Sequence, residues 1–150
     1  MKPLILQPTP VAHWHALVNQ AEYICKLELD EEIESYLVFL LMRFCKQTNW
    51  VKSILAVEFL EGVNQPSYQR QATLKEIGDK CLLISGFFPQ LAQRRRVSKN
   101  YITDLGQSAF DMAACASQES LAKLFFDLSR AFKELKEILH IIRFEQKDLV

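Results

Sequence analysis

An all-α fold, an antiparallel bundle of five to six helices in one domain, is what this sequence predicts, on three observations. Apolar residues recur three and four apart along most of its 150 residues, the spacing that lines one face of a helix. No segment alternates apolar and polar residues for more than a few positions, as a half-buried strand would. Only four glycines and five prolines are present, too few for the many turns of a strand-rich fold. A chain of this length is one domain by the usual size range. It buries roughly 70% of its unfolded surface, so it folds without disulfide or metal.

Each element has its own signal. Thr9-Pro10 is an N-cap followed by proline in the first turn. Val11, Trp14, Val18, Ala21 and Cys25 follow at helical spacing, which predicts a first helix over about 10–27. Asp30 caps a second over about 30–47, with Glu31, Glu32 and Glu34 in its first turns, where the macrodipole favours negative charge. Its stripe of Ile33, Tyr36, Leu37, Leu40, Leu41 and Phe44 is widened by Val38 and Phe39, so this helix is expected to be the most buried. A third helix, over about 50–62, stops at Gly62 with Pro66 beyond it. A fourth, over about 67–85, ends at Gly86, where Phe87-Phe88-Pro89 breaks it. A fifth covers about 98–115. The sixth starts from Ser117 and Glu119 and covers about 118–144 as one piece.

The totals exclude some functions. Lysine plus arginine equals aspartate plus glutamate, 18 of each, so the net charge is zero. A dedicated nucleic-acid binder carries a basic excess to displace counterions, and that class is disfavoured. The longest apolar run, Tyr36 to Met42, is far short of the roughly 20 residues that span a bilayer. The opening MKPLILQPTP breaks its apolar run at Pro8, too early for a signal peptide. Cys25, Cys45, Cys81 and Cys115 form no CxxC pair and sit in helical apolar patterns. They read as buried, reduced cysteines of a cytoplasmic protein outside the membrane.

The segment from Leu74 to Phe110 is the specialised part, with three of the four glycines and the triple arginine. On the fourth helix, Leu74, Ile77, Gly78, Cys81, Leu82 and Ser85 share one face. Lys75, Glu76, Asp79 and Lys80 share the other. Mid-helix Gly78 costs about 1 kcal/mol relative to alanine, so a neighbouring helix or a ligand is expected close to it. On the fifth helix Tyr101, Leu105, Ser108, Ala109 and Met112 point inward, with Asp104 at the edge. Two readings follow. Ser85, Tyr101 and Ser108 satisfy one another as a polar core network, or Gly78, Ser85, Tyr101, Asp104 and Ser108 line a pocket for a small molecule. The pocket would serve a sensor, or an enzyme using Asp104 or Asp79. Phe87 and Phe88, followed by Arg94, Arg95 and Arg96, suggest a contact surface for a partner at one end of the bundle.

The order Gly78-Asp79, Ser85-Gly86-Phe87-Phe88-Pro89, then arginines and Val97, then Tyr101, Gly106 and Ser108-Ala109-Phe110 resembles an uncharacterised family of bacterial helical proteins. Its members read roughly GD-x-x-L-x-x-SGFF, an arginine-containing stretch, V-x-x-x-YY and MG-x-x-AY. Here Ile102 stands for the second tyrosine, Leu105 for the methionine and Phe110 for the last tyrosine. The resemblance implies a bacterial origin and a shared helical fold, and no catalytic activity.

Other chemistry is thin. Glu137-x-x-His140 has the spacing of a di-iron ligand pair, but no second such pair exists and Glu137 points away from the apolar stripe. His13 and His15 diverge by about 200° around a helix, with Trp14 packing between them. No metal and no cofactor are therefore expected. Glu58 and Glu61 lie on the face of Trp50 and Ile54. Either they are buried together with raised pKa values, or they are solvated and Trp50 and Ile54 form a partner surface. Phe126, Ile141 and Phe144 fall off the stripe of the sixth helix, which points to a homodimer contact or to cover by the N-terminal arm. The residues thus favour a binding or interaction module that takes a protein partner or a second copy. A small-molecule sensor or enzyme is the alternative, and no reaction is named.

Overall fold

The computed structural model describes residues 9–46, 66–90 and 98–145. Within them the protein is an all-α bundle. Its elements are α1 (Pro10–Cys25), α2 (Glu31–Lys46), α3 (Ser67–Gly86), α4 (Lys99–Cys115), α5 (Glu119–Arg130) and α6 (Phe132–Glu145). The predicted helix over 50–62, with Trp50, Ile54, Glu58 and Glu61, lies outside the described residues, as does the Phe144 side chain.

Side-chain caps open α1 and α4. Thr9 Oγ1 accepts from Ala12 N at 3.1 Å, with Pro10 in the first turn. Ser98 Oγ accepts from Tyr101 N at 3.0 Å and opens α4. α1 stops earlier than predicted because Lys26 takes a left-handed conformation, φ 57°. Leu27 N then donates to Glu22 O at 2.9 Å, the αL stop that glycine usually supplies.

α3 rather than α2 is the most buried helix. It packs along α4 and against α6, and every residue from Ile77 to Ile84 is buried. The polar face predicted for it is only partly exposed, since Asp79 and Lys80 are buried as well. On α2, Phe39 is 59% exposed. α1 packs on α2 and α6, and α5 on α4 and α2.

Three glycines set how closely these helices approach. A Cβ on Gly78 would stand 2.7 Å from the Phe110 ring, and one on Gly106 would stand 2.5 Å from the Phe132 ring. At Gly86 it would stand 2.5 Å from Leu139 Cβ. Close packing therefore accounts for Gly78. The Phe110 ring on it stacks near-parallel with Phe125, centroids 6.3 Å apart, and touches Phe132 at 6.2 Å.

The predicted sixth helix is divided at Ala131 into α5 and α6. No glycine or proline marks the break. Its cause is tertiary. Gln107 Nε2 donates to Ser129 O at 3.1 Å, and Ser129 Oγ donates to Gln107 O at 3.2 Å. A side chain inserted at a helix carbonyl is a common origin of kinks. Here the bend drops Phe132 onto Gly106. The stripe itself holds: Phe125, Leu128, Phe132, Leu135, Leu139 and Ile142 are buried, while Leu121 is 44% exposed and Leu124 half-buried.

No disulfide joins the four cysteines, and only Cys81 is buried. Cys25 is half-buried, and Cys45 and Cys115 are exposed. The last two sit on helix faces that turn to solvent, which apolar spacing alone did not separate from the core.

Candidate functional site

The five residues expected to line a pocket between α3 and α4 do not come together. Gly78 is covered by Phe110. Tyr101, Asp104 and Ser108 are exposed, so they form neither a pocket wall nor a core network with Ser85. The buried stripe of α4 runs instead through Ile102, Gly106, Ala109, Phe110 and Ala113, about one residue around the helix from the expected one. Close approach to α3 selects the small side chains, and Leu105 and Met112 flank the contact half-buried. Of the two rings expected at a partner surface, Phe87 is buried and Phe88 half-buried. Phe87 is 7% exposed, and both rings pack on Phe44, centroids 6.1 and 5.1 Å away. Arg94, Arg95 and Arg96 lie outside the described residues.

Two polar constellations emerge. The first is centred on Asp79, whose carboxylate is almost wholly buried. Tyr36 Oη donates to Oδ1 at 2.5 Å, and Lys75 Nζ donates to Oδ2 at 2.9 Å. Lys75 also sits over the Tyr36 ring, 5.2 Å from its centroid. One turn away Arg43 pairs with Glu76. Burial pushes the Asp79 carboxyl above its ordinary value, while Lys75 and the Tyr36 hydroxyl pull it back. The Tyr36 phenol is pushed well up by burial and by Asp79, so it holds its proton and serves as a donor. A recess of about 220 Å³ opens over this cluster. Each Asp79 oxygen already has a donor, and both cations are paired. This is a satisfied fastener between α2 and α3.

The second is a cavity of about 390 Å³ where the ends of α1 and α3 meet the start of α4 and the outer face of α6. Cys25, Ile84, Ser85, Pro89, Ile102, Lys136, Glu137, His140 and Ile141 line it. Of the pocket residues expected from sequence, Ser85 alone is among them. Its Oγ is buried and has no hydrogen-bond partner among the described residues, an arrangement proteins normally avoid. Among the described residues, Lys136 Nζ bonds the Thr103 hydroxyl, at 3.4 Å. Burial pushes the Cys25 thiol up, and Glu137 pushes it further. A thiol held protonated is a poor nucleophile, so the cavity suits binding better than covalent catalysis. Sequence reasoning found Ser85 on the inner face of its helix. It missed Cys25, Ile102, Lys136 and His140, which reach the cavity from three other helices. The Glu137–His140 spacing was the one trace of them.

A further cluster joins α1 to α2. Glu22 is 8% exposed, and its Oε2 accepts from Leu29 N at 3.4 Å. Beside it Glu34 pairs with His15 Nε2 at 2.8 Å. Burial, with the Glu34 carboxylate alongside, pushes the Glu22 carboxyl up to about 7. Because the folded value exceeds the unfolded one, the folded state holds this proton more tightly. Its stabilising contribution is complete below about pH 4.5 and is lost as pH rises through about 7. Between pH 5 and pH 8 the wild type is expected to lose about 1–3 kcal/mol more stability than Glu22→Gln. Urea midpoints of the two proteins at both pH values check this, and parallel pH curves would refute it.

Among the described residues, no three histidine, cysteine, aspartate or glutamate side chains come together to hold a metal ion. No described helix is long and apolar enough to cross a membrane. In comparisons with protein-family models, curated proteins and solved structures, the chain matches none.

Proposed function

We propose that the protein is a small-molecule-binding module whose ligand occupies the cavity at the junction of α1, α3, α4 and α6. The observation that carries this reading is a mostly apolar cavity of about 390 Å³ lined in part by Ser85, whose buried hydroxyl has no partner among the described residues. Ligand sites are typically concave and apolar with a few placed polar groups, and fall in this size range. A contact-surface function at Phe87 and Phe88 has less support, because both rings are engaged by Phe44.

The test is an amide NMR titration with small apolar and amphipathic fragments. Shifts are expected to concentrate at residues 84–89, 102 and 136–141. Ile102→Trp, which places an indole in the cavity, is expected to abolish them while the remaining spectrum stays that of the folded protein. Fragment binding that persists in a folded Ile102→Trp variant, or shifts scattered over the surface, would overturn the proposal.

A further inference from the structure

We infer that the cavity's ligand class is a monocarboxylate with a short aliphatic tail. This inference rests on the binding reading above and adds the chemistry of the ligand. Ile84, Pro89, Ile102 and Ile141 give the cavity walls that match an alkyl chain. The polar groups set the head. Lys136 is half-buried and has no acidic partner among the described residues, only the Thr103 hydroxyl at a long 3.4 Å. Ser85 Oγ is a second donor with its bond unmade. Both residues line the cavity, and an ammonium and a hydroxyl are matched by one carboxylate, which is acceptor-only and carries the opposite charge.

The other candidates fit less well. An alkyl ammonium would bring a like charge to Lys136. A neutral alcohol would satisfy Ser85 but leave the lysine with its marginal bond. Glu137, an exposed residue of the same lining, opposes added negative charge and so restricts the ligand to a single acidic head.

Cys25 lines the same cavity and reports its occupancy, with the exposed Cys45 and Cys115 as internal references. The experiment measures N-ethylmaleimide alkylation of each cysteine by peptide mass spectrometry, with octanoate, octanol or octylammonium present. Octanoate is expected to slow Cys25 selectively at concentrations where the other two do not. Lys136→Met is expected to weaken that protection roughly 10- to 100-fold, the usual worth of a hydrogen bond to a charged group. Equal protection by octanol, or preference for octylammonium, in the wild type overturns the carboxylate inference and leaves the binding reading standing. Protection by none of the three overturns both.

Discussion

Asp79→Ala is expected to destabilise the protein by about 2–4 kcal/mol, a large share of the roughly 5–15 kcal/mol that holds a domain together. The substitution leaves the Tyr36 hydroxyl without its acceptor at the α2–α3 contact and Lys75 without its carboxylate. Lys75 is 37% exposed and regains water. That recovery keeps the expected loss below the cost of stranding a fully buried charge. The raised Asp79 value shows that its partners do not wholly offset burial of the charge. Exchanging the whole cluster for apolar residues should then be far milder than breaking it. The triple variant Tyr36→Phe/Lys75→Met/Asp79→Leu is expected to recover most of the loss. Urea unfolding at constant m-value measures both. A loss below about 0.5 kcal/mol for Asp79→Ala would mean that the cluster does not fasten the two helices.

Gly86→Ala is expected to cost about 2–3 kcal/mol, against the usual gain from replacing glycine by alanine in a helix. The new methyl would stand 2.5 Å from Leu139 Cβ and 3.2 Å from the Lys136 carbonyl oxygen. Neither atom can rotate away, so α3 and α6 must separate. The three atoms nearest a methyl on Gly78 are ring atoms of Phe110, at 2.7 to 2.8 Å, and Gly78→Ala is expected to cost less. Pairing Gly86→Ala with Leu139→Gly should show a favourable coupling of about 1 kcal/mol or more, because the second change removes the Cβ that blocks the new methyl. Thermal midpoints of the two single variants and the pair give the result. A stabilised Gly86→Ala would show that the helices are free to move apart.

The central motif gains a physical explanation from these contacts. Gly78 admits the Phe110 ring, and the adjacent Asp79 takes the hydroxyl of Tyr36. The Tyr36 and Phe110 rings in turn meet edge to face, centroids 6.3 Å apart. Two neighbouring residues of α3 thus hold one ring from α4 and one from α2. Gly86 serves α6 in the same way, and the two phenylalanines after it close over Phe44. Gly78, Gly86, Gly106, Phe87 and Phe88, residues that stood out in the sequence, each have a packing role here. The cavity is built instead from ordinary ones.

How far the site could be read from sequence follows from that contrast. Ser85 was recognisable as a small polar residue on an apolar face. Its companions Cys25, Ile102, Lys136 and His140 are far apart in the chain, and no spacing rule joins them. Tyr101 and Ser108 failed as pocket residues because the face of α4 was assigned by its larger apolar side chains. Where two helices approach as closely as α3 and α4, glycine and alanine make the contact, and hydrophobicity is a weak guide to it.

The all-helical class, the Thr9 cap, the stop at Gly86 and the core stripe of α5 and α6 were legible in the residues alone. These depend on local periodicity, capping and backbone freedom, which act within a few residues. The tertiary structure alone decided the break at Ala131, the burial of Asp79 and Lys80, the face α4 turns inward, and the four-helix cavity around Ser85. Each depends on which helices approach and how closely. That outcome is set by close packing across the bundle, where a single methyl group is enough to forbid one arrangement and leave another.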